Sequence, residues 1–387
     1  MKFPTKAFIL CLMSQQAFAQ ISMSEVVDAA LRNHPLAASA AYEVQAKQFA
    51  EKAAARLPNP EVNIESPTGD FYTAGVSQSF EFPTVYKRQK QLARAETVLA
   101  QNGRAISENE IRLSVRTLYL ETQMAEYREQ FLRERDSLYQ AMANTAARQF
   151  AAGEIDFLQK TLAEQEAGTI RQELRSAEQT AVMLRNQLTA FAGLAEITAL
   201  LPLSADTIAM PASADPAANP SVAYEQQAAQ VAIQQVRLEK SRALPNFSLG
   251  YFNQSARNAP LDYRFRATVG IPLWAGQYRA GIDAARAESQ AALARAEAQS
   301  MAVALALERA RTDMATTREK MRYYEREAVP RSRMLISTAT RLRDAGETDY
   351  FDFLRTLAEA YAIRRDYAEQ INTYETARIQ VLYLTGR

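Results

Sequence analysis

Cysteine is almost absent from this 387-residue chain: the one copy, Cys11, falls within the first nineteen residues. Those residues read as an export leader, with Lys2 and Lys6 at its start, an apolar core over 7–13, and Ala17-Phe18-Ala19 as a small-residue cleavage site before Gln20. The apolar run is far below the ~20 residues a spanning helix needs. Leu10, directly before Cys11, is too large for a lipoprotein site. The expectation is cleavage between Ala19 and Gln20, leaving no disulfide, thiolate ligand or lipid anchor. Histidine is as scarce. His34 stands alone beside Pro35, and a metal site needs several converging ligands. Of the 11 methionines, those beyond Met1 and Met13 are scattered, with no cluster to suit a soft cation. No metal site and no cofactor are expected, and His34 reads as structural. An excess of charge is missing too. Without Lys2 and Lys6 the 45 basic residues become 43, against 44 acidic ones, so nucleic acid is not an expected partner. Paired carboxylates, Ser-His-Asp patterns and Gly-rich phosphate loops do not stand out, which argues against an enzyme. Long apolar runs are lacking as well, so any membrane must be entered as short alternating strands.

What the chain does have is a repeat. Arg148-Gln-Phe-Ala-Ala-Gly153-Glu154-Ile-Asp156 matches Arg341-Leu-Arg-Asp344-Ala-Gly346-Glu347-Thr-Asp349, 193 residues further on. Leu188-Thr-Ala-Phe-Ala-Gly193 matches Val381-Leu-Tyr-Leu-Thr-Gly386 at the same offset of 193. Leu57-Pro58-Asn59 matches Leu244-Pro245-Asn246 at 187, which puts a longer loop in one copy. The reading is a leader over 1–19, a first repeat over 20–195 with strands 60–66 and 72–83, a connector over 196–220, and a second repeat over 221–387 with strands 245–254 and 263–273.

Each repeat has one order of elements: helix, two strands, long helix, tight turn, returning helix. Ser22 with Glu25 forms a capping box that opens the first helix, which ends before Leu57-Pro58. The long helices are expected over about 86–150 and 278–342, turning at Gly153 and Gly346 and returning to about Phe191 and to Leu384. At 1.5 Å per residue each long helix spans ~100 Å, too long for one compact core, so an elongated bundle is expected. Ile106, Leu113 and Leu120 recur every seven residues, as do Met124, Phe131 and Leu138, which predicts coiled-coil seams.

The strands alternate with period two. Tyr263, Phe265, Ala267, Val269, Ile271 and Leu273 share one face, against Arg264, Arg266, Thr268 and Gly270 on the other. Phe247, Leu249 and Tyr251 alternate likewise with Asn246, Ser248 and Gly250. A lipid-outside, water-inside wall has this pattern. Four strands cannot close a barrel, and an open edge in lipid costs several kcal/mol per unpaired group. Three copies giving twelve strands is the natural closed solution.

With these features the chain resembles the TolC family of outer-membrane efflux proteins over essentially its whole mature length. The duplicated unit carries the resemblance, with Asn33-His34-Pro35, Leu57-Pro58-Asn59-Pro60 and the two Arg-x4-Gly-Glu-x-Asp turns. The segments 76–88 and 243–250 are similar to the heavy-metal branch of CzcC- and CusC-like channels. The resemblance implies a mainly α fold with a β-barrel segment: a homotrimer with a twelve-stranded outer-membrane barrel and a long periplasmic α-helical barrel. It implies a passive exit duct, here for heavy-metal cations, coupled to a periplasmic adaptor (membrane fusion) protein and an inner-membrane pump of the resistance-nodulation-division (RND) type. The two turns are then the periplasmic tips. Arg148, Gly153, Glu154, Asp156, Arg341, Asp344, Gly346, Glu347 and Asp349 are the expected adaptor-docking and gating residues. The lipobox cysteine of many relatives is absent, so lipidation is not carried over. Drug efflux or type I secretion is the alternative within the channel class. An adaptor is the rival outside it, although an adaptor would have one hairpin flanked by lipoyl-like β halves.

Overall fold

A computed structural model describes residues 20–65, 73–205, 210, 215–253, 264–348 and 350–387. The leader and its cleavage site, the turn Pro67–Asp70, Tyr263 and Asp349 lie outside the described residues.

The first helical stretch opens as the capping box predicts. The Ser22 amide donates to Glu25 Oε2 at 2.7 Å, and the Glu25 amide donates to Ser22 Oγ at 3.3 Å. The Ser22 amide and hydroxyl together hold the Glu25 carboxyl below the usual range. The stretch is two helices, however: α1 (Met23–Asn33) and α2 (Pro35–Ala53). Pro35 has no amide proton and disfavours helical backbone at the residue before it. His34 accordingly sits at φ −70°, ψ 131°, and its Nδ1 accepts the Leu36 amide at 3.2 Å, capping α2.

Strands β1 (Glu61–Glu65) and β2 (Thr73–Phe80) follow, then α3 (Pro83–Ala151), unbroken over 69 residues, and α4 (Phe157–Ala192). The second copy gives α5 (Pro220–Arg242), β3 (Asn246–Asn253) and β4 (Phe265–Gly270). Strand β4 ends before the predicted Leu273, because Pro272 cannot donate to a ladder and the chain turns there, the Leu273 amide donating to the Ile271 carbonyl at 2.9 Å. The second long helix is interrupted where one helix is expected: α6 (Ala275–Tyr323) passes through a single π turn, Tyr324–Ala328, into α7 (Val329–Asp344). The cause is Pro330, which cannot donate to the Arg326 carbonyl and whose ring crowds it. Helix α8 (Tyr350–Leu384) completes the repeat.

The four strands form one antiparallel sheet in the order β1-β2-β3-β4. Its register separates two faces. Val62, Val76, Tyr251 and Phe265 lie in one cross-strand row; Glu61, Ser77, Gly250 and Arg266 lie in another, on the opposite face.

The chain divides into two compact units, each drawing on both repeats. One takes residues up to Ala30, Val115–Ala205 and Glu325–Asn372; the other takes Leu31–Ser114, Asp206–Tyr324 and Thr373–Arg387. In the first, Phe131, Tyr139, Met142, Ala163, Ile170, Phe353, Leu357 and Tyr361 form a buried cluster. Tyr119, fully buried, donates its hydroxyl to the Ile21 carbonyl at 2.9 Å and accepts the Leu201 amide at 3.2 Å, so the connector is pinned to α3. Burial raises the Tyr119 phenol above its ordinary value. In the second unit, Asn109 and Asn219 both donate to the Tyr383 carbonyl, at 2.9 and 3.3 Å. A buried ion pair joins Arg378 to Glu375 at 2.8 Å. Arg378 also lies over the Tyr374 ring, and Arg318 donates to the Tyr374 hydroxyl.

The predicted seams on α3 are only partly the buried ones. Leu120 and Phe131 are buried, but Ile106, Leu113, Met124 and Leu138 are half-buried, while Ile111, Val115 and Tyr119 are sealed. A single seam buries one stripe, whereas α3 has neighbours on more than one side.

Candidate functional site

The two repeat turns are built alike. Gly153 and Gly346 have φ of 76° and 73°. Each amide donates three residues back, to Phe150 and to Arg343, and the following Glu154 and Glu347 amides reach Gln149 and Leu342 at 2.9 Å. This is the Schellman end that a left-handed glycine permits. A Cβ would meet nothing within 4 Å at either position, so conformation rather than space demands glycine. The likeness extends to side chains. Arg148 donates to Thr145 Oγ1 at 3.1 Å, and Arg341 donates to Thr338 Oγ1 at 3.4 Å, each one turn back in the last turn of its helix.

Asp156 caps α4, its Oδ1 accepting the Gln159 amide at 2.8 Å. Caps of this kind contribute ~1 kcal/mol, so this carboxylate has a structural task at the tip. Glu154 and Glu347 are exposed. Asp344 is the last residue of α7, and Asp349 lies outside the described residues. Both turns border one cavity of about 700 Å³, lined by Met142, Gln149, Glu154, Ile155, Arg343 and Gly346 among others. The structure thus brings the two predicted tips together.

Sequence reasoning missed an apolar knob on the first tip. Phe150 and Phe157 stack edge to face at 6.1 Å, Lys160 lies 5.3 Å over Phe150, and Phe157 and Leu158 are 66% and 60% exposed. Two large apolar residues directly after the capping Asp156 were the available signal. Arg343, 4.7 Å over the Phe353 ring, was also passed over.

The sheet is the second notable surface. Its apolar face is bare: Val62, Ile64 and Phe265 are each at least 70% exposed, and Leu249 and Val269 are exposed as well. The sheet order leaves β1 and β4 as its two edges. No described helix is long and apolar enough to cross a membrane, and no described cluster of acidic, cysteine or histidine side chains suits a metal.

A duplicated helical hairpin unit with an open four-stranded sheet is a fold this chain shares with solved outer-membrane channels. The outer membrane efflux protein family model matches residues 216–387, the second repeat with the end of the connector, where the Gly346 turn of the repeated motif lies. Among solved structures, CusC, described in terms of transmembrane channel formation, has a TM-score of 0.79 at 16% identity, covering 95% of this chain and 92% of its own. The outer membrane protein VceC of Vibrio cholerae scores 0.75 at 15% identity, covering 94% and 96%. The CmeC outer membrane channel of Campylobacter jejuni scores 0.77 at 12%, covering 100% and 93%. At these identities the likeness is one of fold. No curated protein matches the sequence.

Proposed function

We propose that three copies of this chain form the outer-membrane exit duct of a tripartite efflux system. The observation that carries the proposal is the sheet: apolar and bare on one face, polar on the other, and open at both edges. A bare apolar face of this size is costly in water and suits lipid, while open edges in lipid demand neighbouring strands. The helices support the same reading. In the first unit, contacts run from α4 to α3 (Arg185–Glu126, 2.6 Å), from α3 to α8 (Arg364–Glu134, 2.9 Å) and from α8 to α7 through Phe353 and Arg343. The helices at the two ends of that series carry exposed apolar side chains, Val182 and Met183 on α4, Met334 and Leu335 on α7. Faces of this kind suit a head-to-tail ring of copies.

The duct lies in the outer membrane with its helices in the periplasm, reached after removal of the leader. Its tips meet a periplasmic adaptor, and an RND-type inner-membrane pump supplies the cargo. We take the docking and gating surface as Arg148, Gly153, Glu154, Asp156, Arg341, Asp344, Gly346, Glu347 and Asp349, with the arginines and aspartates closing the tunnel through contacts between copies. The cargo reading is heavy-metal cations, supported by the likeness of segments 76–88 and 243–250 to that branch. A water-filled duct needs no resident metal ligands, because the pump selects.

Purified mature protein is expected to need detergent, run as a heat-modifiable trimer and conduct ions in planar bilayers. A monomer that stays dissolved without detergent would end the proposal. Replacing Arg341 and Asp349 with Ala is expected to raise single-channel conductance; unchanged conductance removes the gate. Deletion of the gene is expected to lower tolerance to metal salts. Loss of tolerance to organic compounds alone would give the duct to a drug pump.

A further inference from the structure

The polar face of the sheet is unlike its two edges in one respect: the edges are charged, with opposite sign. On β1 it carries Glu61, Asn63 and Glu65; on β4 it carries Arg266, Thr268 and Gly270. Between them, β2 and β3 offer small or neutral residues, including Gly75, Ser77, Ser248 and Gly250. Glu61 and Arg266 stand at opposite ends of one cross-strand row, Glu61–Ser77–Gly250–Arg266, both exposed. Within one copy the row therefore holds them apart by the width of the sheet, and neither forms an ion pair among the described residues.

Arg266 is held in place. Its guanidinium carbon lies 4.3 Å from the centre of the Phe252 ring. Among the described residues Phe252 is the one aromatic on this otherwise polar face, and it fits because of two glycines. A Cβ at Gly75 would come within 2.4 Å of the ring, and one at Gly250 within 2.6 Å. Two positions on neighbouring strands have given up their side chains to seat a ring under a cation, which restricts the arginine before any partner arrives.

We infer that Arg266 of one copy engages the acidic edge of β1, Glu61 and Glu65, in the next copy, and that this cross-strand charge pairing selects the β4-to-β1 seam. The inference rests on the trimeric duct proposed above and adds the chemistry of its joint. Adjacent strands lie ~4.8 Å apart, well inside the ~8 Å screening length at physiological salt, so facing charges on neighbouring strands act on one another even in a water-filled lumen. The same arrangement opposes wrong joints: β1 against β1 sets carboxylates face to face, and β4 against β4 sets cation against cation. Two acidic positions on one face, two residues either side of Asn63, keep a carboxylate near Arg266 over more than one stagger of the strands.

The test uses the full-length protein in detergent. Three variants are compared with wild type by the fraction of trimer surviving dilution: Arg266→Glu, the double change Glu61→Arg with Glu65→Arg, and all three changes together. Three seams change at once, so each reversal alone is expected to lower the trimer fraction roughly tenfold, and the combined variant to recover most of it. A milder pair, Arg266→Gln and Glu61→Gln with Glu65→Gln, removes attraction without adding repulsion. These are expected to dissociate at rates that rising salt no longer changes, whereas wild-type dissociation quickens with salt. Trimers indifferent to reversal, or a combined variant no better than the weaker reversal, would overturn the inference while leaving the duct intact. A wild-type chain that never trimerises would instead remove the duct reading.

Discussion

The two long helical runs come from one duplicated unit, yet α3 is continuous over 69 residues and its counterpart is split by a π turn into α6 and α7. At the repeat offset, Pro330 corresponds to Ser137, which is exposed in mid-α3. One residue without an amide proton separates them. The difference also alters a neighbour: the π turn carries Glu325, which accepts the Tyr367 hydroxyl of α8 at 3.2 Å. The two arms share an architecture, and the second has a defect the first lacks. Such turns often sit where helices must bend.

Breaking α3 in the same way should have the largest effect. Ser137→Pro is expected to cost about 3 kcal/mol or more, read as a fall in the denaturation midpoint. Stability equal to wild type would mean that continuity in α3 is idle. Next in size are the turns that both arms share. Gly153→Ala and Gly346→Ala should each cost about 1–2 kcal/mol through the left-handed backbone alone, and equally, since both sites are open. Unequal costs would show that one tip bears a contact the other does not. Healing the second arm with Pro330→Ser restores one backbone hydrogen bond, so amide exchange over 326–331 should slow about fivefold, as ~1 kcal/mol implies. Unchanged exchange would place the cause of the π turn elsewhere.

The smallest effect is a matter of pH. Burial first, then the Glu325 carboxylate, pushes the Tyr367 phenol up to about 12 from its model-compound value of 10.0. Below pH 10 both folded and unfolded chains keep the proton and stability is flat from this group. Between pH 10 and about 12 the unfolded chain ionises first, so stability falls as pH rises. Tyr367→Phe should remove that slope in unfolding measured across pH 9 to 12; an unaltered slope would acquit the residue.

Much of this was legible in advance. Strand alternation and the glycine turns rest on local signals, and the structure has β1 at Glu61–Glu65, β3 at Asn246–Asn253 and positive φ at Gly153 and Gly346, while the first helix is two helices and the second long helix is interrupted. At both turns the arginine donates to a threonine one turn back. Less legible were the prolines inside helices. Pro35 ends a helix, with His34 as the cap of the next, whereas Pro330 only bulges one. The same residue type allows either outcome, and the packing around it decides.

Sequence alone settled what depends on neighbours along the chain: period, turn chirality, capping and the alternation of faces, each set within a few residues. Tertiary structure alone decided what depends on residues far apart. It buried Ile111 and Val115 more deeply than the heptad positions Ile106 and Leu113, hung the connector on the Tyr119 hydroxyl, and set Glu61 and Arg266 at the two ends of one row. Partners separated by scores or hundreds of residues leave no periodic trace, because nothing in a local pattern records which surface will come to lie against which.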